Sequence, residues 1–336
     1  MRERVVANLN QALRALLAKD ERVYLLGEDI ADPYGGAFKV TRGLSAEFPG
    51  RVLSTPISES GIAGVASGLA LCGSRPVMEV MFGDFIGLCF DQIYNFAAKS
   101  VSMYGHKVPM HMVIRCPVGG NRGYGPTHSQ SPHKHFIGIP DLSLWELSPL
   151  HDNNVVLDRL LGRGEPCIFF EDKVLYGKQM YLDGRISQLL SFDFLGAEAN
   201  YARVFVASPD SCDCVIIAPG GVAEQAWTAA AELLLEDEIS CQVIVPSRLY
   251  PFDLEPLLPV LRQARLICVA EQGTAGGTWG GEIANRIYEK LWGQLRRPVL
   301  LISSAAAVIP AAPHLERDVL VQTETIYSAV REAFHA

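Results

Sequence analysis

No apolar run in this chain is long enough to cross a bilayer. The longest, Val299 to Ala312, is broken by Ser303, Ser304 and Pro310 and falls short of the roughly 20 residues a span needs. A membrane partner is therefore not expected. Positive charge is also scarce: 29 Lys and Arg against 37 Asp and Glu leave a net charge of −8, so no global basic field draws phosphate backbones or anionic lipid. Nucleic acid is not an expected partner either. Near the start, Asn8, Asn10, Gln11 and Arg14 interrupt what would be the apolar core of a secretory signal. The eight cysteines are scattered through apolar, strand-like runs, the pattern of buried free thiols in a reducing, cytoplasmic setting. Cys212-Asp-Cys214 has no second pair at metal-ligand spacing, so no metal ligands are assigned. Walker-type, HExxH and GxSxG motifs are missing as well. The glycines of EQGTAGGTWGGEIANRI lie between a strand and a helix without matching GxGxxG.

What is present is an alternation. With 49% hydrophobic and 20% charged residues over 336 positions, the chain is globular and long enough for two domains. Leu9, Leu13, Leu16 and Leu17 mark an amphipathic opening helix that ends near Asp20. Strand-like runs at 23–27, 76–82, 108–114, 142–147 and 167–171 alternate with helix-like runs at 90–101 and 152–162. A second set alternates from CVIIAPG at 214–220 to a closing helix at 323–334. The expected fold class is α/β, two domains, each with a mostly parallel sheet flanked by helices. Periodicity fades between 174 and 210, although 189–195 could form a short element. The expected boundaries are a first domain at 1–185, a linker at 186–205 and a second domain at 206–336.

Open α/β sheets bind ligands at the carboxyl ends of their strands, and three such places carry candidate chemistry. In TPISESGIAGVASGLAL, Ser58 can cap a helix of very small residues, and Glu59 stands at its first turn. Glu59 has two readings, a carboxylate favoured by the helix dipole or a proton-transfer group with a raised pKa. In MFGDFIGLCFDQ, Phe82, Phe85 and Phe90 crowd Asp84 and Asp91. Such a cluster is usually core, but a phenylalanine after a strand can stack on a planar ring. The third place is the 24-residue stretch Pro117 to Pro140, which holds His128, His133 and His135 beside Lys134. Loops of this length in compact domains are more often functional than incidental, whereas a single loop histidine is more often solvated.

Taken in order, LLGEDI, GGAFKVTRGL, TPISESGIAGVASGLAL, RPVMEVMFGDF, FDQIYNFAAK, THSQSP, the EDKVLYG run and EQGTAGGTWGGEIA closely resemble the beta subunit of thiamine-diphosphate-dependent 2-oxo acid dehydrogenases. This is the pyruvate and branched-chain class of the transketolase-like superfamily, and the likeness runs from about residue 20 to the C-terminus. It implies a transketolase-like pyrimidine-binding domain followed by a transketolase C-terminal domain. It further implies that Glu59 bonds the aminopyrimidine of the cofactor, that Phe85 stacks on that ring, and that Met81 lines the same pocket. By the same resemblance, Glu28 belongs to an acidic path between paired active sites, with structural pairing as its main alternative. His128 would stand at the channel mouth as a catalytic proton donor. The GDG motif that binds diphosphate and magnesium in the family is absent from this chain. The resemblance therefore implies an alpha-type partner that supplies magnesium, in an α2β2 heterotetramer, with a lipoyl-bearing acyltransferase or carrier protein as acyl acceptor.

The chain also departs from the family pattern. After HSQS-like residues it has Pro132, His133, Lys134, His135 and Phe136, where relatives carry an acidic or small residue and an aromatic pair. Basic residues there would bind a phosphate or an acidic carrier, unless they are simply solvated. Leu88 replaces a position that is often polar, and Arg163 takes the place of an aspartate that helps hold a potassium ion. Three functional expectations follow. The first is decarboxylation of a 2-oxo acid with reductive acylation of a lipoyl carrier. The second, motivated by His133, Lys134 and His135, is transfer of a two-carbon hydroxyacyl unit from a ketose phosphate to a carrier protein. The third is a catalytically silent assembly subunit.

Overall fold

In a computed structural model of the chain, residues 2–196, 198–206, 208–210 and 212–336 are described. Met1, Ala197 of the expected linker, and Ala207 and Ser211 of the expected second domain lie outside the described residues. Two compact units form. The first comprises 1–118 and 136–180, and the second comprises 119–135 and 181–336.

The first unit opens with α1 (Val5–Lys19), whose Val5, Leu9, Ala12, Leu13, Leu16 and Leu17 are buried. Each such large apolar side chain contributes about 1.5–3 kcal/mol on leaving water. Then come β1 (Val23–Glu28), α2 (Leu44–Glu47), β2 (Val52–Thr55), α3 (Glu59–Leu71) and β3 (Arg75–Glu79). A 3-10 helix at Gly83–Cys89 and a π-helical stretch at Gln92–Ala97 lead into α4 (Ala98–Ser100). β4 (Val113–Val118), β5 (Ser143–Glu146), α5 (Asn153–Gly162) and β6 (Cys167–Asp172) complete the unit. Its six strands run in the order β5-β6-β4-β3-β1-β2, and every pairing among them is parallel. α1 packs on α5 and α3 packs on β3, around a core that includes Leu13, Trp145, Leu157 and Phe169.

The second unit contains β7 (Leu190–Leu195), β8 (Tyr201–Val206), β9 (Cys214–Ile217), α6 (Gly220–Asp237), β10 (Cys241–Pro246), β11 (Arg248–Tyr250), α7 (Leu258–Gln263), β12 (Leu266–Thr274), α8 (Trp279–Leu291), β13 (Leu300–Ser304), α9 (Pro313–Val319) and α10 (Thr323–His335). Its sheet has the order β13-β12-β9-β10-β8-β7. The first four of these strands are parallel, and the β8 and β7 edge is antiparallel. Among the described residues, no helix is long and apolar enough to cross a membrane. All eight cysteines are free thiols, six of them buried.

The mostly parallel sheets match the expectation from sequence, but three segments differ. The expected linker at 186–205 instead carries β7 and most of β8. Asp193 and Arg203, charges that break the apolar pattern, are cross-strand partners in register and form an ion pair with Nε to Oδ1 at 2.8 Å. The strand expected at 108–114 begins at Val113 and runs to Val118. Pro117 is tolerated there because Arg115 turns its carbonyl to Val80 on the β3 side. Two residues on, the proline ring faces that same side, beyond the last β3 pairing at Glu79–Arg115, where no N–H is needed. Thirdly, Ser58 precedes α3 without a side-chain cap.

Candidate active site

In the first sheet the chain steps from β1 outward to β2 and then back across β1 to β3. That reversal opens a crevice at the carboxyl ends of β1 and β3, the place where open α/β sheets take ligands. Glu28 is the last residue of β1, and Glu59 is the first of α3. Both are buried, at 4% and 8% exposure. Burial pushes the Glu28 carboxyl above its ordinary pKa, and the negative charge of Glu59 adds to the shift, so the two acids are close enough to feel each other. The Ser58 backbone N–H donates to Glu28, which ties the start of α3 to the end of β1. One Glu28 oxygen, Oε1, is buried without a hydrogen-bond partner. Glu59 stands in the first turn of α3, a position that suits both the dipole reading and the proton-transfer reading.

Met81 and Phe85 lie just after β3. Both are half-buried, and Phe85 sits inside the 3-10 helix Gly83–Cys89, which packs on α3. Close packing holds this helix in place: a Cβ on Gly83 would meet Val118 Cγ1 at 2.6 Å and the Pro117 carbonyl at 2.7 Å. Cys89, on the same helix, is pushed up to about 12 by burial and then by the charges of Glu59 and Glu28. It stays a neutral thiol and closes the acidic pocket with an apolar group.

Behind Glu28 lies a cluster that the sequence reading did not single out. Arg115 donates from Nε and Nη2 to the two oxygens of Glu171 at 2.7 Å each, and from Nη1 to Glu79. Tyr176 donates to Glu171 Oε2 at 2.7 Å. Burial raises the Glu79 pKa, and the neighbouring Arg115 only partly offsets it. The signal was available: an arginine inside the apolar strand MHMVIRC must find buried acids, because an unpaired buried charge is prohibitively costly.

His128, His133, Lys134 and His135 belong to the second unit. His128 is half-buried, with Nδ1 3.0 Å from Thr127 Oγ1. His133 is buried and His135 exposed, and partial desolvation together with the adjacent Lys134 charge pulls the His135 pKa down. Lys134 is half-buried, and its ammonium is engaged by the protein itself. Its ammonium meets Thr274 O at 2.9 Å, Thr274 Oγ1 at 3.3 Å and Gly276 O at 2.8 Å. All three of its donors thus face oxygens of the protein. Arg163 donates to Glu165 at 2.7 Å and lies over the Trp145 ring. Among the described residues, no group of three or more His, Cys, Asp or Glu could hold a metal ion.

The fold and the crevice define a transketolase-type protein. The family model "Transketolase, pyrimidine binding domain" matches residues 5–179, and "Transketolase, C-terminal domain" matches 202–326. A split-gene transketolase, described as an inactive beta4 tetramer, superposes with a TM-score of 0.73 over 98% of this chain and 97% of its own, at 18% identity, which speaks for the fold alone. The acetoin:2,6-dichlorophenolindophenol oxidoreductase subunit beta of Cupriavidus necator is 32% identical over 333 residues, covering 96% of this chain and 95% of that protein. The pyruvate dehydrogenase E1 component subunit beta of Leifsonia xyli subsp. xyli is 33% identical, covering 92% and 88%. The chain belongs to the transketolase-like family that includes these acetoin and pyruvate dehydrogenase beta subunits.

Proposed function

We infer that the chain is the beta subunit of a thiamine-diphosphate-dependent 2-oxo acid dehydrogenase, and that Glu28 and Glu59 receive the pyrimidine half of the cofactor. The observation that carries this reading is the buried acid pair at the β1/β3 crevice, with one oxygen left without a donor. An aminopyrimidine offers the N–H and ring nitrogen that such a pair needs, so the residues present fit the group. When bound, thiamine diphosphate supplies the carbon nucleophile and the electron sink for decarboxylation. Glu59 would hold a ring nitrogen by a shared proton, and Glu28, raised by burial, would accept or return that proton. Phe85 and Met81 would offer the ring an apolar face, and Cys89 would help exclude water. His128, oriented by Thr127, would give or take a proton during decarboxylation and acyl transfer.

An alpha-type subunit supplies the diphosphate and magnesium contacts that this chain lacks, in an α2β2 assembly, and a lipoyl group on a carrier protein is the acceptor. The test is mass spectrometry of a lipoylated carrier after incubation with the assembled complex, thiamine diphosphate, magnesium and a mixture of 2-oxo acids and ketose phosphates. An acetyl, propionyl or branched acyl mass is expected, and Glu59→Gln should lower turnover by about 10²–10⁴-fold. A glycolyl mass drawn only from the sugar phosphate would overturn the reading. Full activity in Glu59→Gln would remove the residue from the chemistry.

A further inference from the structure

The segment that carries the histidines is chained to the second unit at several points. Gly120 N donates to Gln272 Oε1 at 3.2 Å, Gly123 N to Glu316 Oε2 at 2.9 Å, and Gln322 Nε2 to Asn121 Oδ1 at 3.2 Å. These bonds hold its first half. At the far end stands Lys134, whose three ammonium protons face three oxygens, the Thr274 and Gly276 carbonyls and the Thr274 hydroxyl. An ammonium offers three donors and no more, so this cation is saturated by the end of β12 and the turn that follows. Gly276 and Gly277, with φ of 97° and 59°, supply the left-handed turn there.

Thr274, which Lys134 grips, also forms one wall of a cleft of about 570 Å³, together with Pro126, Gln130, Ala275, Ala307 and Val308. No charged side chain lines it. Pro126, Gln130, Ala307 and Val308 are exposed, so the feature is an open groove that would lie along one side of a ligand. A wall of alanine, valine and proline with one amide and one hydroxyl matches an extended aliphatic chain that carries an amide, and offers nothing to an anion.

We propose that Lys134 is a positioning residue: its ammonium clamps the His128–His135 segment onto the end of β12 and so fixes the wall of an uncharged cleft that admits a neutral, chain-like acyl acceptor. The acceptor half of this statement rests on the functional reading above, while the clamp does not. Lipoamide and pantetheine share the required chemistry, an aliphatic chain with amides and a sulfur terminus.

Hydrogen exchange read by mass spectrometry on the assembled complex tests the clamp directly. Lys134→Met should speed exchange across 128–135 by about tenfold or more, and Lys134→Arg, which keeps charge and donors, should restore most of the protection. In acyl-transfer assays, Lys134→Met should raise the KM for free lipoamide or free pantetheine, and whichever of the two is used by the wild type identifies the source. Unchanged exchange in Lys134→Met overturns the clamp whatever the kinetics. Faster exchange with an unchanged acceptor KM overturns the cleft as the acceptor site. Protection of 128–135 by inorganic phosphate in the wild type, lost in Lys134→Met, would make Lys134 a phosphate ligand and refute the clamp. Absence of turnover from any 2-oxo acid would sink the functional reading and the acceptor with it, and exchange would still decide the clamp.

Discussion

Replacing Arg115 with methionine isolates the energetics of the buried charges behind the crevice. The arginine side chain is 1% exposed, and those of Glu171 and Glu79 are 0% and 6% exposed. Methionine fills much of the same volume but leaves two carboxylates in the protein interior without their cation. Removing one partner of a buried ion pair costs about 3–5 kcal/mol, and with two acids stranded the upper half of that range applies. For a unit of this size, 1 kcal/mol moves the melting midpoint by about 2–4 °C, so a fall of roughly 10 °C is expected in the first unit. Hydrogen exchange in β3, β4 and β6 would localise the loss to that unit, and circular dichroism would give the midpoint. The deficit must also depend on pH. Burial already raises Glu79, and without Arg115 to offset it this carboxyl holds its proton to still higher pH in the folded state than in the unfolded chain. Stability is then fullest below the unfolded value of about 4.3 and is lost as pH rises through the raised folded value. The Arg115→Met deficit should therefore shrink on going from pH 7 to pH 5. The triple variant Arg115→Met, Glu79→Gln, Glu171→Gln should recover most of the loss, since no uncompensated charge remains. A deficit below about 1 kcal/mol, or one equal at both pH values, would refute the argument.

Three further outcomes are expected. Glu28 is raised by burial and by Glu59, so its contribution to stability is present below the unfolded carboxyl pKa and is lost as pH rises through the folded one. Glu28→Gln should therefore gain on the wild type between pH 4 and pH 8 in urea titrations, and parallel curves would contradict this. Gly83→Ala pushes a methyl into Val118 and the Pro117 carbonyl and should cost about 1–3 kcal/mol. Gly87→Ala, where nothing lies within 4 Å, should leave the thermal midpoint almost unmoved, and equal effects would show that the packing argument is wrong. Ala307→Trp, at an exposed cleft wall, should raise the acceptor KM about tenfold, equivalent to 1.4 kcal/mol, without a change in melting. An unaltered KM would remove the cleft from acceptor binding.

Much of the architecture was readable because strands and helices here obey their periods. The leucines of α1 fall on one face, and the central strands are continuous apolar runs, as buried parallel strands are. The place of Glu59 was legible as well, at the first turn of a helix of small residues. The hairpin of β7 and β8 was hidden because its charges pair with each other across the strands, and a one-dimensional pattern cannot show cross-strand partners. The partners of Lys134 are hidden for the same reason: two of its three acceptors are backbone oxygens about 140 positions away, and no side-chain motif announces a carbonyl. The Arg115 cluster was the opposite case. A lone arginine in β4 was visible, and what remained unreadable was which acids would answer it.

The route of the chain through residues 119–135 has a consequence for how the molecule is made. The histidine segment emerges during synthesis well ahead of Gln272, Thr274, Gly276 and Glu316, the groups that anchor it. At ordinary elongation speeds the delay is on the order of ten seconds, long enough for the strands on either side of the segment to collapse while it still waits for its seat. His128 is thus set in place only after the C-terminal half exists. A nascent or truncated product that lacks these groups lacks the bonds that hold residues 120–134, so the segment is seated at the last stage of maturation.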